Sequence, residues 1–267
     1  GTDCVVGFVE HHHRPRTEVM LHGLEQIGRL EDVNAVNIGQ DEGMENNRAN
    51  QGAKTGYHHG DLRNALITAG VDLATDGGPA KVVLREVARR AGVSATAAYR
   101  HFAGQGDLLF AVKIQAQQML ADAMERVAVA VPGGDGPGPT AERRLAAIGR
   151  GYVGFALEQP GLFRTAFSHS LPAGEGEGTG WGGVTPPADS PQYRSYNLLT
   201  EALDELVATG RMPAPNRPGA EAAAWSTAHG LAMLLIDGPM NRLPDADRDA
   251  VIERAIDTIV AGLLAPR

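Results

Sequence analysis

Cysteine is all but absent: Cys4 stands alone among 267 residues. No disulfide can form within the chain, which removes the small bridged folds from consideration, and a single thiol fits the reducing cytoplasm, the expected compartment. Long apolar runs are missing too. Hydrophobic residues make up 43%, ordinary for a globular protein, yet no window approaches the roughly 18 consecutive apolar residues of a membrane span. The opening GTDCVVGFVEHHHRPR puts its basic residues behind a weak apolar run, the reverse of a secretory leader. Catalytic signatures are also lacking: there is no HExxH spacing for zinc, no glycine loop after a strand to hold phosphate, and no nucleophile motif. No cofactor is expected. His11, His12 and His13 are consecutive, so they cannot all face one ion on a regular element, and no metal site is expected.

Positive charge is short overall, with 24 basic against 32 acidic side chains and a net charge of −8. That balance argues against a nucleic-acid partner until it is divided along the chain. Residues 1–53 carry 4 basic and 9 acidic side chains, and residues 114–267 carry 12 and 18, whereas residues 54–113 carry 8 and 5. One part is positive, and clustered rather than total charge makes a phosphate-binding surface.

That part contains LREVARRAGVSATAAYRHFAGQGDLL, from Leu84 to Leu109. Leu84, Val87, Ala88 and Ala91 fall at i, i+3, i+4 and i+7, one face of a helix. Gly92 can take the positive φ that ends it, and Ser94 is placed to cap a second short helix, expected over Ala95–Phe102. Ala88 and Gly92 are expected where the two axes cross, because bulk there would separate the helices. Two helices joined by a short Gly-containing turn form the helix-turn-helix, whose second helix enters the major groove of DNA. Val93, Ala98 and Phe102 are expected to face inward, leaving Ala95, Thr96, Tyr99, Arg100 and His101 for the groove.

The segment AGVSATAAYRHF, followed by DLL and preceded by YHHGDLRNALITAG, resembles the DNA-binding domain of the tetracycline-repressor (TetR) family of bacterial one-component regulators, over Tyr57 to about Val112. The resemblance implies a first helix, Gly60–Asp76, with the stripe Leu62, Ala65, Leu66, Ala69 and Leu73 packed over the other two and Asp61 at its N-terminus. It also implies that Tyr99 and His101 touch phosphates, which fixes register without reading sequence. Base reading is left to Ala95, Thr96 and Arg100. Arg85, on the polar side of the second helix, and Ser94 complete the expected surface. Two positions depart from the family pattern. Val83 stands where Ser or Thr often caps the second helix, and Gln105 stands where a phosphate-binding Lys often opens the fourth, which should flatten the salt dependence of binding. Since the resembled domain begins near a chain's start, Met44 is the expected native initiator, with residues 1–43 upstream of it.

Beyond Asp107 a long helix is expected to end before Pro132, followed by a flexible 132–140 (PGGDGPGPT). YVGFALEQPGLFRTAF and WSTAHGLA, with LLIDGPM, resemble the TetR C-terminal domain type named for its Trp-His-Gly motif. Four more helical stretches follow: 141–167 with a pause at Gln159-Pro160, Tyr193–Ala208, Ala220–Asp237 and Asp245–Leu264. The tract Pro172–Pro191 reads as a disordered loop, with Trp181 its one large side chain. The last two helices are apolar on two sides, which suits a homodimer interface.

The expected fold is therefore all-α: a disordered extension (1–53), a three-helix DNA-binding domain (54–106) and a larger helical regulatory and dimerisation domain (107–267). Phe155, Phe163, Phe167, Trp225 and Met233 are expected to line an effector pocket anchored by His229, favouring apolar or aromatic effectors of unknown identity. The expected function is a dimeric repressor released from a double-stranded operator by a small molecule. The alternatives are a constitutive DNA-binding regulator with no effector, or an all-α enzyme with an incidental helical hairpin.

Overall fold

The structure, a computed structural model, describes residues 62–168 and 193–266. The extension 1–53 with its histidines, the arm of Lys54, Tyr57 and His58, Asp61, and the Pro172–Pro191 tract with Trp181 all lie outside the described residues. Among the described residues there are nine α-helices and no strand: α1 (Leu62–Gly77), α2 (Leu84–Arg90), α3 (Ala95–Tyr99), α4 (Gln105–Val129), α5 (Pro137–Glu158), α6 (Pro160–Ala166), α7 (Arg194–Ala208), α8 (Ala220–Ile236) and α9 (Asp245–Leu264), with 3-10 turns at Pro79–Lys81 and Ala214–Asn216. None of these helices is long and apolar enough to cross a membrane.

Periodicity explains α1 and α4. Leu66, Ala69, Leu73 and Ala74 form the buried stripe of α1, which stops at Gly77 ahead of Gly78-Pro79. Along α4, Leu108, Val112, Ala116, Leu120 and Met124 repeat every four residues, and each is at most 2% exposed. Its 25 residues make a rod of about 37 Å, contacted by α1, α5, α6 and α7. The expected boundary between residues 106 and 107 falls inside its first turn, and the buried side chains on both sides belong to one connected core.

The expected flexible stretch 132–140 is shorter than the composition suggests, because α5 begins at Pro137. Proline is well placed in a first turn, where its missing N–H has no helical partner in any case. Thr140 then closes that turn, its backbone N–H and its hydroxyl both donating to the Gly136 carbonyl. At the other end of the fold, buried Asn216 donates from Nδ2 to the carbonyls of Leu263 (2.9 Å) and Ala265 (2.8 Å), tying the end of α9 to the turn between α7 and α8. Ion pairs add cross-links. Arg150 forms a bidentate pair with Glu253 (2.6 and 2.7 Å), joining α5 to α9. Arg164 on α6 holds Asp237 just after α8, and Arg194 on α7 reaches Asp122 and Glu125 on α4. Most of these groups are exposed, so each contributes little alone.

The tightest junction is between backbones. Helix α6 packs on both α1 and α4, and Gly161 in its first turn lies against the end of α1. A Cβ built there would stand 2.2 Å from the Ala74 carbonyl oxygen and 2.7 Å from that of Thr75. Replacing Gly161 by Ala should therefore cost about 1–3 kcal/mol in urea-induced unfolding, the usual range for overpacking. Gly154, in α5, has nothing within 4 Å of a built Cβ, and Gly154→Ala should be neutral or stabilise by up to about 1 kcal/mol through helix propensity. Equal effects from the two substitutions would contradict the close contact.

Candidate nucleic-acid interface and interior cavity

Helix α2 ends as its sequence foretells, with backbone hydrogen bonds from Gly92 N–H to Arg89 O (3.1 Å) and from Val93 N–H to Ala88 O (2.9 Å). This double closure needs a left-handed residue, and Gly92 has φ 71°. The reason for glycine is that conformation rather than the expected axis crossing, since a Cβ at Gly92 would meet nothing within 4 Å. Ala88, 1% exposed, is the small residue of the interior. Ser94 then caps α3, its hydroxyl accepting from the Ala97 N–H at 3.2 Å. Val83 at the head of α2 makes no side-chain cap.

Helix α3 is shorter than expected: it stops at Tyr99 instead of Phe102. The Arg100 and His101 amides bond back three residues, to the Ala97 and Ala98 carbonyls, so the chain tightens into a turn as Phe102 buries its ring. The division of faces follows the expectation. Ala98 (0% exposed) and Phe102 (3%) point into the core and Val93 packs against it. Thr96, Tyr99, Arg100 and His101 are exposed, and Ala95 is half-buried. Gln105 is exposed in the first turn of α4, which has no side-chain cap.

Charge separates the arginines of α2. Arg89 binds Glu86 through two hydrogen bonds (2.6 and 2.9 Å), and the Glu86 carboxyl is held below its ordinary range chiefly by that contact. Arg90 reaches Asp76 (3.0 Å) and Asp72 (3.7 Å) on α1. Arg85 is exposed and has no acidic partner among the described residues, and the same holds for Arg100. Arg63, which sequence reasoning passed over, stacks its guanidinium 5.2 Å from the centre of the Phe102 ring. The signal was an arginine on the polar side of α1, indistinguishable in sequence from a solvated one.

The larger helical part holds two adjoining features. One is a packed aromatic cluster. Phe163 and Phe167 lie 5.0 Å apart, His229 sits 4.8 Å from Phe167 and stacks on Phe163, and Tyr152 touches Phe163, Phe167, Trp225 and His229. The Tyr152 hydroxyl and His229 Nδ1 share a hydrogen bond of 2.8 Å. Burial pushes the Tyr152 hydroxyl well above its ordinary pKa and pushes the His229 ring below its own.

The second feature is a cavity between α5, α8 and α9, walled also by Met124 of α4 and Leu199 of α7. Its volume is about 50 Å³, and it opens to solvent. Of the six residues expected to line a pocket, Trp225 lines this one. Phe163, Phe167 and His229 fill space against one another, Phe155 is buried elsewhere in the core, and Met233 is 37% exposed on α8. Tyr152, in sequence only the first residue of YVGFALEQPGLFRTAF, belongs to both features. No group of three or more metal-ligating side chains occurs among the described residues.

Residues 66–112 match the sequence model of the bacterial regulatory proteins of the tetR family, and residues 145–259 match that of the tetracyclin repressor-like C-terminal domain. Among solved structures, a protein with unknown function from Rhodococcus sp. RHA1 is similar at 27% identity, over 79% of this chain and 100% of that one, with a TM-score of 0.60. A TetR family transcription regulator from Marinobacter aquaeolei VT8 shares the fold at 20% identity, over 76% of this chain and 96% of that one, with a TM-score of 0.51. Among curated proteins, none matches the chain.

The half-buried His229 makes stability depend on pH in a definite direction. Its folded pKa lies below the ordinary 6.5, so under about pH 6.5 the unfolded chain takes up a proton that the folded chain refuses, and stability falls until the folded ring also titrates. Urea unfolding between about pH 7.5 and 5.5 should show the wild type losing more stability than His229→Gln. Parallel losses would mean that the ring is not kept neutral by its surroundings.

Proposed function

The chain belongs to the tetR family of bacterial regulatory proteins, and on that premise we propose that it is a dimeric repressor of transcription, released from its operator by a small molecule. It is a transcription factor, without a catalytic role. In this reading residues 54–106 bind DNA and residues 107–267 bind the effector and the second subunit. The supporting observation is the outward set on α3: Thr96, Tyr99, Arg100 and His101 stand in solvent while Ala98 and Phe102 anchor the same short segment from behind. Tyr99 and His101 then hold phosphates, Thr96 and Ala95 meet base edges, and Arg85 and Arg100 bring charge that no carboxylate among the described residues neutralises.

Pairing of subunits is supported by the outer face of α8. Ala222, Ala223, Ser226, Gly230, Met233 and Leu234 are exposed there without a charge among them. Beside it, α9 exposes Ala250, Thr258, Ala261 and Gly262, with Arg254 and Asp257 among them. Two copies joined on these faces form a four-helix interface with two-fold symmetry. DNA then requires the two α3 helices about 34–36 Å apart, one turn of the duplex. An effector that fits only a different spacing shifts the population away from the DNA-bound form, by no more than its differential affinity for the two states.

A mobility-shift titration on the promoter beside the protein's own gene tests this reading. Tyr99→Ala and His101→Ala should each weaken specific binding at least tenfold with the helical circular-dichroism signal intact, as hydrogen bonds to a charged group are each worth about 1.5–3 kcal/mol. Specific binding that survives the double substitution would sink the groove assignment. Arg85→Ala should also reduce the salt slope of binding by roughly 2 for a dimer, whereas Arg89→Ala, whose charge is already met by Glu86, should leave that slope nearly unchanged.

A further inference from the structure

The cavity between α5, α8 and α9 has walls with a definite chemistry. No charged residue lines it. Its two hydroxyls are engaged: that of Tyr152 with His229, and that of Thr227 donating to the Ala223 carbonyl at 2.9 Å. Of the charged residues that flank the lining in sequence, Arg150, next to Gly149, is closed on Glu253 through two short hydrogen bonds, and Arg144, next to Leu145, is held by Glu205. A carboxylate or ammonium brought inside would lose its water and gain no counter-ion, a cost that keeps isolated charges out of protein interiors.

The space exists because the facing residues are short. Gly149, Ala224, Ala228 and Ala255 contribute little or no side chain, and the remainder of the wall is mostly aliphatic, completed by Met124, Tyr152, Trp225 and Thr227. The space is small, about 50 Å³, is bounded by three helices and opens to solvent. A slender molecule can therefore start in the mouth and seat its tail inside, whereas a broad rigid one must first spread α8 and α9 from α5.

We infer that this cavity binds an uncharged, slender, hydrocarbon-rich molecule and excludes carboxylates and amines of the same length. The inference rests on the effector-responsive reading and deepens it, by naming the class of effector and moving the site away from the aromatic cluster. Tyr152 gives the site an outlet. It lines the cavity, bonds His229, and packs on Phe163 of α6, the helix seated on α1 through Gly161. An occupant that displaces Tyr152 therefore pushes on the element that touches the DNA-binding helices.

The test is calorimetric titration of the full chain with 1-decanol, decanoate and decylamine at neutral pH, beside the mobility shift with and without each. Decanol should bind at least tenfold more tightly than either charged probe and should weaken the operator complex. Ala228→Leu, which fills the cavity, should lower decanol affinity at least tenfold. Leu145→Ala, which enlarges it, should tighten the binding of a longer alcohol such as 1-tetradecanol. Decanoate or decylamine binding as well as decanol overturns the inference, as does decanol affinity indifferent to both substitutions, or no binding by any probe. Specific DNA binding in the absence of any probe binding sinks the cavity assignment while leaving the regulator reading. Decanol binding with no specific DNA binding does the reverse.

Discussion

One side of α4 stays dry from Leu108 to Met124, and that constraint arranges the rest of the molecule. A helix of this length with an apolar face repeating every fourth residue must be covered along its whole extent. Its first turns are covered by α1, which carries α2 and α3, and its later turns by α5, α6 and α7. The DNA-facing unit and the larger helical unit therefore share a structural member rather than a linker. Their buried side chains form one connected core, so neither can shift against α4 without exposing apolar surface at about 25 cal/mol per Å².

Within the DNA-facing unit the division of labour is electrostatic. Helix α2 carries three arginines, and two of them are committed within the protein, Arg89 to Glu86 and Arg90 to Asp72 and Asp76. Arg90 ties α2 to α1 while Arg89 is met within α2, leaving Arg85 and Arg100 as cations without a carboxylate partner among the described residues. The total charge of the segment overstates what a duplex would meet.

Much of this was legible in the residues. Helix periods located each helical stretch, with the pause at Gln159-Pro160 falling where α5 gives way to α6; Gly92 marked the left-handed turn, Ser94 the cap, and the apolar pattern of α3 separated Ala98 and Phe102 from Thr96, Tyr99, Arg100 and His101. What escaped depends on contacts distant in sequence. The partners of Arg90 lie 14 and 18 residues back, on another helix. The early end of α3 follows from Phe102 turning into a core that a local pattern does not display. Aromatic residues at helical spacing look alike whether they line a hollow or fill it, so Phe163, Phe167 and His229 read as pocket though they pack on one another. The hollow lies where small residues from α5, α8 and α9 converge, and small residues leave almost no trace in a hydrophobic period. The same insensitivity hid the α5 start at Pro137 behind a run of Gly and Pro.

Gly161 has a consequence for how such a molecule could change over generations. Its seat on α1 is made by main-chain atoms, which every amino acid supplies alike, while the hollow beside Tyr152 is shaped by side chains that can be exchanged one at a time. Input and output are thus inherited through different chemistry. A lineage can revise what it senses by altering Ala228 or Leu145 and keep the same mechanical wiring, provided that one glycine is never replaced.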